Sequence, residues 1–294
     1  MYTIVAASQK GGSGKTTLSG HLAVEASRAG AGPVALIDTD PQGSLAHWWN
    51  ARKASEPHFV KAGLLDLGQA LARLSTMGIR IAIIDTPPAI TQSISQVVAH
   101  ADLVVVPTRP SPHDLRAVGA TVDIAERHAK PLIFVINAAT ARASITGESA
   151  VALSQHGMVA PVTIHHRVDF AASMIDGRTV GEAAPNSASA REVRDLWLYL
   201  QDKLSRAVHD PKLIPEVKPD FAVSSLLETG MEEEEVVLAP EPPPIITTPT
   251  YTGPDRRVSA DRRIGAEIYR GPERRNLSFG RRRGDPSFEA GIYK

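Results

Sequence analysis

Lys10-Gly11-Gly12-Ser13-Gly14-Lys15-Thr16-Thr17 is the stretch on which the fold turns. It follows an apolar run, Thr3-Ile4-Val5-Ala6-Ala7, that reads as a buried strand. It opens Thr16–Ala29, whose spacing predicts a helix. Glycines let a backbone turn its N–H groups inward, and a helix N-terminus adds the positive end of its dipole. Strand, glycine-rich turn, lysine and helix together make a cradle for phosphate. Lys15 is placed to neutralise the outer phosphates, and the Thr16 hydroxyl to ligate Mg2+.

The same alternation of apolar run and helical pattern continues to about residue 208. Strands are predicted at Pro33–Asp38, Ile79–Asp85, Leu103–Pro107 and Leu132–Asn137, with a weaker one near Val159–Ile164. Most are unbroken Val, Ile, Leu and Ala runs, the mark of parallel strands covered on both faces. Helices are predicted at Leu64–Thr76, Leu115–His128, Gly147–His156 and Ser189–Val208. In the last, Val193, Leu196, Trp197, Leu200 and Leu204 form one stripe. The expected class is α/β, a mainly parallel twisted sheet flanked by helices.

Charge divides the chain. Residues 1–208 carry a net charge of +2, residues 209–250 of −7 and residues 251–294 of +5. The middle segment holds Glu232–Glu235 and five prolines between Pro240 and Pro249, so it reads as an extended linker. In the last segment Tyr251-Thr252-Gly253-Pro254-Asp255-Arg256-Arg257 recurs as Tyr269-Arg270-Gly271-Pro272-Glu273-Arg274-Arg275. That reads as linear motifs on a disordered tail. Three roles stay open for it: added DNA affinity, a docking motif anchored by Tyr251 and Tyr269, or solubility. The 294 residues include no cysteine, which excludes a disulfide scaffold, a cysteine-ligated metal and a thiol nucleophile. No apolar run nears the roughly 20 residues of a membrane-spanning helix, and Met1–Ala7 lacks a basic leader. A cytoplasmic protein is expected.

The loop departs from the common phosphate-loop pattern in one informative way: a second lysine, Lys10, precedes the glycines. K-G-G-x-G-K-[ST]-[ST] resembles the deviant Walker A motif of the ParA/MinD family of P-loop ATPases. The resemblance covers residues 1 to about 205. It implies an ATPase domain over 1–208 that uses ATP and Mg2+. It also implies that Lys10 reaches across a nucleotide-bound homodimer to the partner's phosphates. Leu36-Ile37-Asp38-Thr39-Asp40-Pro41-Gln42-Gly43-Ser44 resembles the family's switch I, in which Asp40 orients the attacking water and Asp38 holds the metal shell. Asp and Gly after a strand also serve as plain turn formers. Ile81–Asp85 resembles a Walker B strand, its Asp85 binding Mg2+ through water, and Thr86-Pro87-Pro88 resembles switch II. Asn137 matches a position that reads the adenine edge, which suits an amide able to donate and accept; a strand-end turn former is the other reading. Ala101–Pro107, Pro110–Leu115, His165–Phe170 and Pro185–Ser187 resemble further family segments. The implied catalytic set is Lys10, Lys15 and Asp40, the metal set Thr16, Asp38 and Asp85, and the nucleotide set residues 10–17 with Asn137.

Family members bind nonspecific DNA in the ATP state, and a ParB-like or cargo-adaptor partner stimulates slow hydrolysis. The resemblance therefore implies a nucleoid-associated machine that positions a plasmid, chromosome or protein cargo. Candidate DNA contacts are Arg167, Arg178, Arg191, Arg194 and Lys203, with His165 and His166 beside them. No helix-turn-helix segment precedes the loop, which favours the short type. The alternatives are a small-molecule ligase or kinase on the same fold, or a MinD-like regulator at a membrane. The tail offers no amphipathic helix suited to a membrane. Trp48 and Trp49 read as packing residues, and the other histidines show no ligand spacing.

Overall fold

The computed structural model describes residues 1–87 and 91–207. Pro88 of the switch II segment, the linker 209–250 and the repeated tail motifs of 251–294 lie outside the described residues. The elements run β1 (Tyr2–Ala6), α1 (Lys15–Arg28), β2 (Val34–Asp38), α2 (Ser44–Ala51), β3 (His58–Lys61), α3 (Leu67–Thr76), β4 (Ile81–Asp85) and α4 (Thr91–Val98). They continue with β5 (Leu103–Thr108), α5 (Pro112–Ala117), α6 (Gly119–Arg127), β6 (Leu132–Ile136), α7 (Ser144–Ser154) and β7 (Met158–Val159). Then follow α8 (Val168–Met174), α9 (Val180–Ala183) and α10 (Ala188–Ala207). The strands form one sheet in the order β3-β2-β4-β1-β5-β6-β7, every pairing parallel.

Period-two alternation explains why these strands are apolar throughout. Val5, Ile37, Ile84 and Val104 pack into one layer, with residues of α3, α4 and α6. Their neighbours Ile4, Leu36, Ile83 and Val105 pack into the other, with residues of α1, α2 and α10. The stripe foreseen on α10 is buried as expected: Val193, Leu196, Trp197, Leu200 and Leu204 are all 2% exposed or less. Trp48 packs under Gly20 and Trp49 stacks on Phe59 at 5.4 Å, the packing roles anticipated for both.

Several elements differ from the sequence reading. Edge strand β3 has only Phe59 and Val60 half-buried between exposed ends, so it offers no apolar run. The last strand shrinks to Met158–Val159. Ala160 still donates to Phe134, but Pro161 has no N–H to give, and pairing resumes only where Ile164 donates to Ile136. The helix expected at Leu115–His128 is two. Ser111 caps α5, with Pro112 in its first turn, and the chain breaks at Val118 beside Gly119. Helices α4, α8 and α9 are additions. The first provides the crossover from β4 to β5, which run parallel on either side of β1.

Two buried ionisable groups tie α2 and α1 to the segment that carries α8 and α9. Arg52, just past α2, has a side chain 3% exposed. Its guanidinium forks onto Glu182 at 2.7 and 2.8 Å, and it also donates to the carbonyls of Gly177 and Glu56. Glu182 closes a capping box with Thr179 at the start of α9. The second group is His21 on α1, fully buried beside Phe170. Its Nδ1 lies 2.8 Å from the Thr17 carbonyl, so Nδ1 carries the proton and Nε2 is a buried atom without a partner among the described residues. Burial pulls its pKa down to about 4.

Replacing Glu182 with alanine strands a buried guanidinium and removes a cap. Urea unfolding is expected to show a loss of about 3 kcal/mol. A loss under about 1 kcal/mol would mean that solvent reaches Arg52 easily. His21 gives a pH prediction of definite sign. The unfolded chain takes up a proton near pH 6.5 and the fold refuses it until about 4, so the stabilising contribution is full above 6.5 and is lost as pH falls. The stability difference between wild type and His21→Gln should shrink by about 3 kcal/mol from about pH 7.5 to about pH 4. A flat difference would place His21 in contact with water.

Candidate nucleotide site

The strand register sets up the site. Asp38 and Asp85 are the last residues of adjacent strands and pair directly across them. Both are buried, at 0% and 1% exposure. On the other side of β4, Asp85 pairs with Ala6, whose strand leads into the loop. The loop thus rises over two carboxylates at the C-terminal edge of a parallel sheet, where open α/β folds bind ligands.

Two loop glycines carry conformations that side chains resist. Gly12 has φ +72°, and Gly14, capping α1, has φ +97°. A Cβ on Gly14 would collide with the Asn137 amide, so Gly14 serves both conformation and space. Lys15 is buried at 6% exposure. Its Nζ donates to Ser8 O at 2.9 Å and points back into the loop. Burial lowers its pKa, and Asp85 and Asp40 oppose that. Thr16 Oγ1 donates to Asp85 Oδ2 at 2.7 Å. Burial, with Asp38 adding to it, pushes Asp85 up to about 7. Oδ1 of Asp85 is buried with no partner among the described residues. An orphaned carboxylate oxygen beside a hydroxyl fits a hard cation. Thr16 and Asp85 would hold Mg2+ there, directly or through water.

Asp38 is committed locally. Its Oδ1 accepts from the Asp40 N–H at 3.0 Å and its Oδ2 from the Ala46 N–H at 3.1 Å, which anchors the first turn of α2. Burial raises its pKa despite those bonds. Asp40 accepts from the Gln42 N–H, and Gly43 then turns through φ +67° into α2. Thr39 and Thr86 are tied to strand carbonyls, to Asp85 O at 2.6 Å and to Ala6 O at 2.8 Å.

Lys10 stands half-buried on the rim, its Nζ 3.9 Å from Asp114 Oδ2. Asp114 is held by Ser111 Oγ at 2.6 Å. Asn137 follows β6 and donates to Ser13 O at 2.6 Å, so its amide braces the loop, while its Oδ1 has no partner among the described residues. Beside it opens a cavity of about 280 Å³, lined by Gly14, Thr17, His21, Arg109, Asn137 and Phe170 among others. His21 and Arg109 carried no motif. Only their spacing could have flagged them: His21 is four residues past Thr17 on one helix face, and Arg109 directly follows a strand.

The basic residues of the late body are dispersed, and most are engaged. Arg167 bonds Glu192 at 2.6 Å, and Glu192 also holds His165 at 2.8 Å. Arg178 pairs with Asp176, both exposed. Arg194 reaches Glu25 at 3.6 Å, and Arg191 donates to Asn186 O. Lys203 lies over the Tyr199 ring. Nine residues separate Arg194 from Lys203, about half a turn in angle, so Lys203 leaves the stripe that Arg191 and Arg194 share.

Comparison with known proteins agrees with this fold. The maintenance of carboxysome distribution protein A of Halothiobacillus neapolitanus is 27% identical over 201 residues, which is 65% of this chain and 92% of that protein. Among solved structures, an ATP complex of McdA from Cyanothece aligns with TM-score 0.54 and 17% identity, over 74% of this chain and 98% of that one. MinD of Pyrococcus horikoshii with Mg-ADP aligns with TM-score 0.58 and 15% identity, over 70% and 98%. At such identities the structures speak to the fold. Residues 4–180 match the CobQ/CobB/MinD/ParA nucleotide-binding domain, and the chain belongs to that family.

Proposed function

We propose that this chain is an ATPase that dimerises on ATP, binds DNA without sequence preference in that state and positions a cargo. The observation that carries the reading is the pair of lysines. Lys15 is sunk into the loop, while Lys10 stands on the rim against a single carboxylate at 3.9 Å. A partly exposed ion pair of that length is weak. Lys10 is therefore free to leave Asp114 for phosphates presented by a second copy, which would couple dimerisation to nucleotide state as an arginine finger does.

In this reading residues 11–17 wrap the phosphates, and Lys15 exchanges its loop carbonyls for the outer phosphate oxygens. Mg2+ bound at Thr16 and Asp85 would neutralise charge on the phosphates. Asp40, in the turn before α2, would orient the attacking water. Asp38 would join the metal shell, directly or through water, with the lone pairs left by its two backbone bonds. Asn137 would meet the base through Oδ1 while its amide braces the loop. Arg167, Arg178, Arg191, Arg194 and Lys203 remain the proposed DNA contacts. Arg178, Arg191 and Arg194 need shed only exposed or long pairings to meet phosphate. A ParB-like or adaptor partner would accelerate hydrolysis. The Halothiobacillus relative is named for carboxysome distribution. That name supports a protein assembly among the three expected cargo classes.

The test is binding of the full chain to nonspecific duplex DNA with ATP, with ADP and without nucleotide, at fixed salt. ATP should tighten binding at least about tenfold, and Lys15→Ala should abolish the gain. Arg191→Glu with Arg194→Glu should weaken the ATP-state complex and flatten its salt dependence by about one unit of slope per lost contact. Equal binding in all three nucleotide states would sink the cycle and move the DNA contact to the tail. Unchanged binding by the double variant would move it off α10.

A further inference from the structure

We infer that Arg109 is a phosphate ligand of this nucleotide site, on the same protomer as the loop. The inference rests on the nucleotide-site reading above and adds to it a cation that no motif marks.

Arg109 is the first residue after β5, the neighbour of β1 in the sheet. Its backbone is pinned on both sides: Asn137 N–H donates to Thr108 O at 2.8 Å, and Ser111 N–H donates to Arg109 O at 2.8 Å. The side chain projects over the loop. A Cβ built on Gly12 would lie 3.7 Å from Arg109 Nη2, and Arg109 lines the same cavity as Gly14, Thr17 and Asn137.

The partners of the surrounding cations single it out. Lys15 has Ser8 O at 2.9 Å, Lys10 has Asp114 at 3.9 Å, and Arg167 has Glu192 at 2.6 Å. Among the described residues the Arg109 guanidinium has neither a carboxylate nor a carbonyl partner. A guanidinium offers five donors in a planar fork that matches phosphate oxygens two at a time. Rooted by a pinned backbone and standing beside Gly12 of the loop, it lacks only an anion. Bound phosphates would supply one, and they would also offset its repulsion with Lys10 and Lys15.

An exposed arginine can also be a solvated surface charge, and the experiment separates the two. Titration calorimetry of the full chain with Mg-ATP, Mg-ADP and Mg-GTP would compare wild type, Arg109→Ala, Arg109→Lys and Lys15→Ala. Arg109→Ala should raise the ATP dissociation constant about tenfold, the effect of one charge-assisted contact, and flatten its salt dependence. Arg109→Lys should recover part of the loss. The preference for ATP over GTP and the nucleotide-free melting temperature should not move. An ATP dissociation constant within about twofold of wild type would overturn the proposal. So would a loss confined to the ATP-over-GTP preference, which would put Arg109 on the base. If Lys15→Ala binds ATP as wild type does, the reading of the loop as the nucleotide cradle fails, and Arg109 falls with it.

Discussion

Two carboxylates brought side by side inside the protein set the terms for everything around them. Parallel pairing of β2 with β4 puts Asp38 against Asp85 at the strand ends, and both are buried. Like charges so placed resist ionisation together, and burial raises both pKa values. Lys15 compensates only in part, since its own burial favours the neutral form. Such a cluster contributes little to the stability of an empty protein. Its worth lies in what it leaves open: a bare carboxylate oxygen on Asp85, beside a Thr16 hydroxyl that already donates to the other oxygen. On the proposed reading, a divalent cation held at Thr16 and Asp85 would take up that oxygen.

Helix α2 carries that constraint outward. At its start, Asp38 takes the Ala46 N–H, so the same carboxylate that faces the cluster also anchors the helix. Six residues on from Ala46, about 9 Å, Arg52 is locked to Glu182 and to the Gly177 carbonyl. The contact is close enough that Gly177, at φ +77°, has no room for a side chain against the Arg52 backbone. The Trp48 indole adds a bond to the Arg178 carbonyl. A short helix held at one end by a buried carboxylate and at the other by a buried guanidinium has little freedom to tilt. The loop of Asp40 and the turn of Arg178 therefore sit on one rigid piece.

The strands were legible because burial on both faces leaves an unbroken apolar run, and five were placed within about two residues. The phosphate loop was legible because its glycines and lysine are needed in sequence order. Edge strands were not: β3 is half-exposed with one paired side, and β7 is cut by a proline whose effect depends on the partner strand. Site residues defined by tertiary contact were silent for a related reason. Nothing local in Asn137 says that its amide will brace Ser13, and nothing in Arg167 says that Glu192, 25 residues away, will claim it. His21 looked like any histidine until its neighbours removed the water around it.

Those claimed arginines bear on how a nearly neutral body could hold DNA. Residues 1–208 carry a net charge of only +2, and the described arginines of the late body share their charge with Glu25, Asp176 and Glu192. One copy would thus release few counterions and bind weakly. Two copies joined by nucleotide would double the contacts on one duplex, and linked contacts multiply rather than add. On the proposed reading, weak charge in the monomer is what lets dimerisation act as the switch. A strongly basic body would stay on DNA in every nucleotide state, and hydrolysis would release nothing.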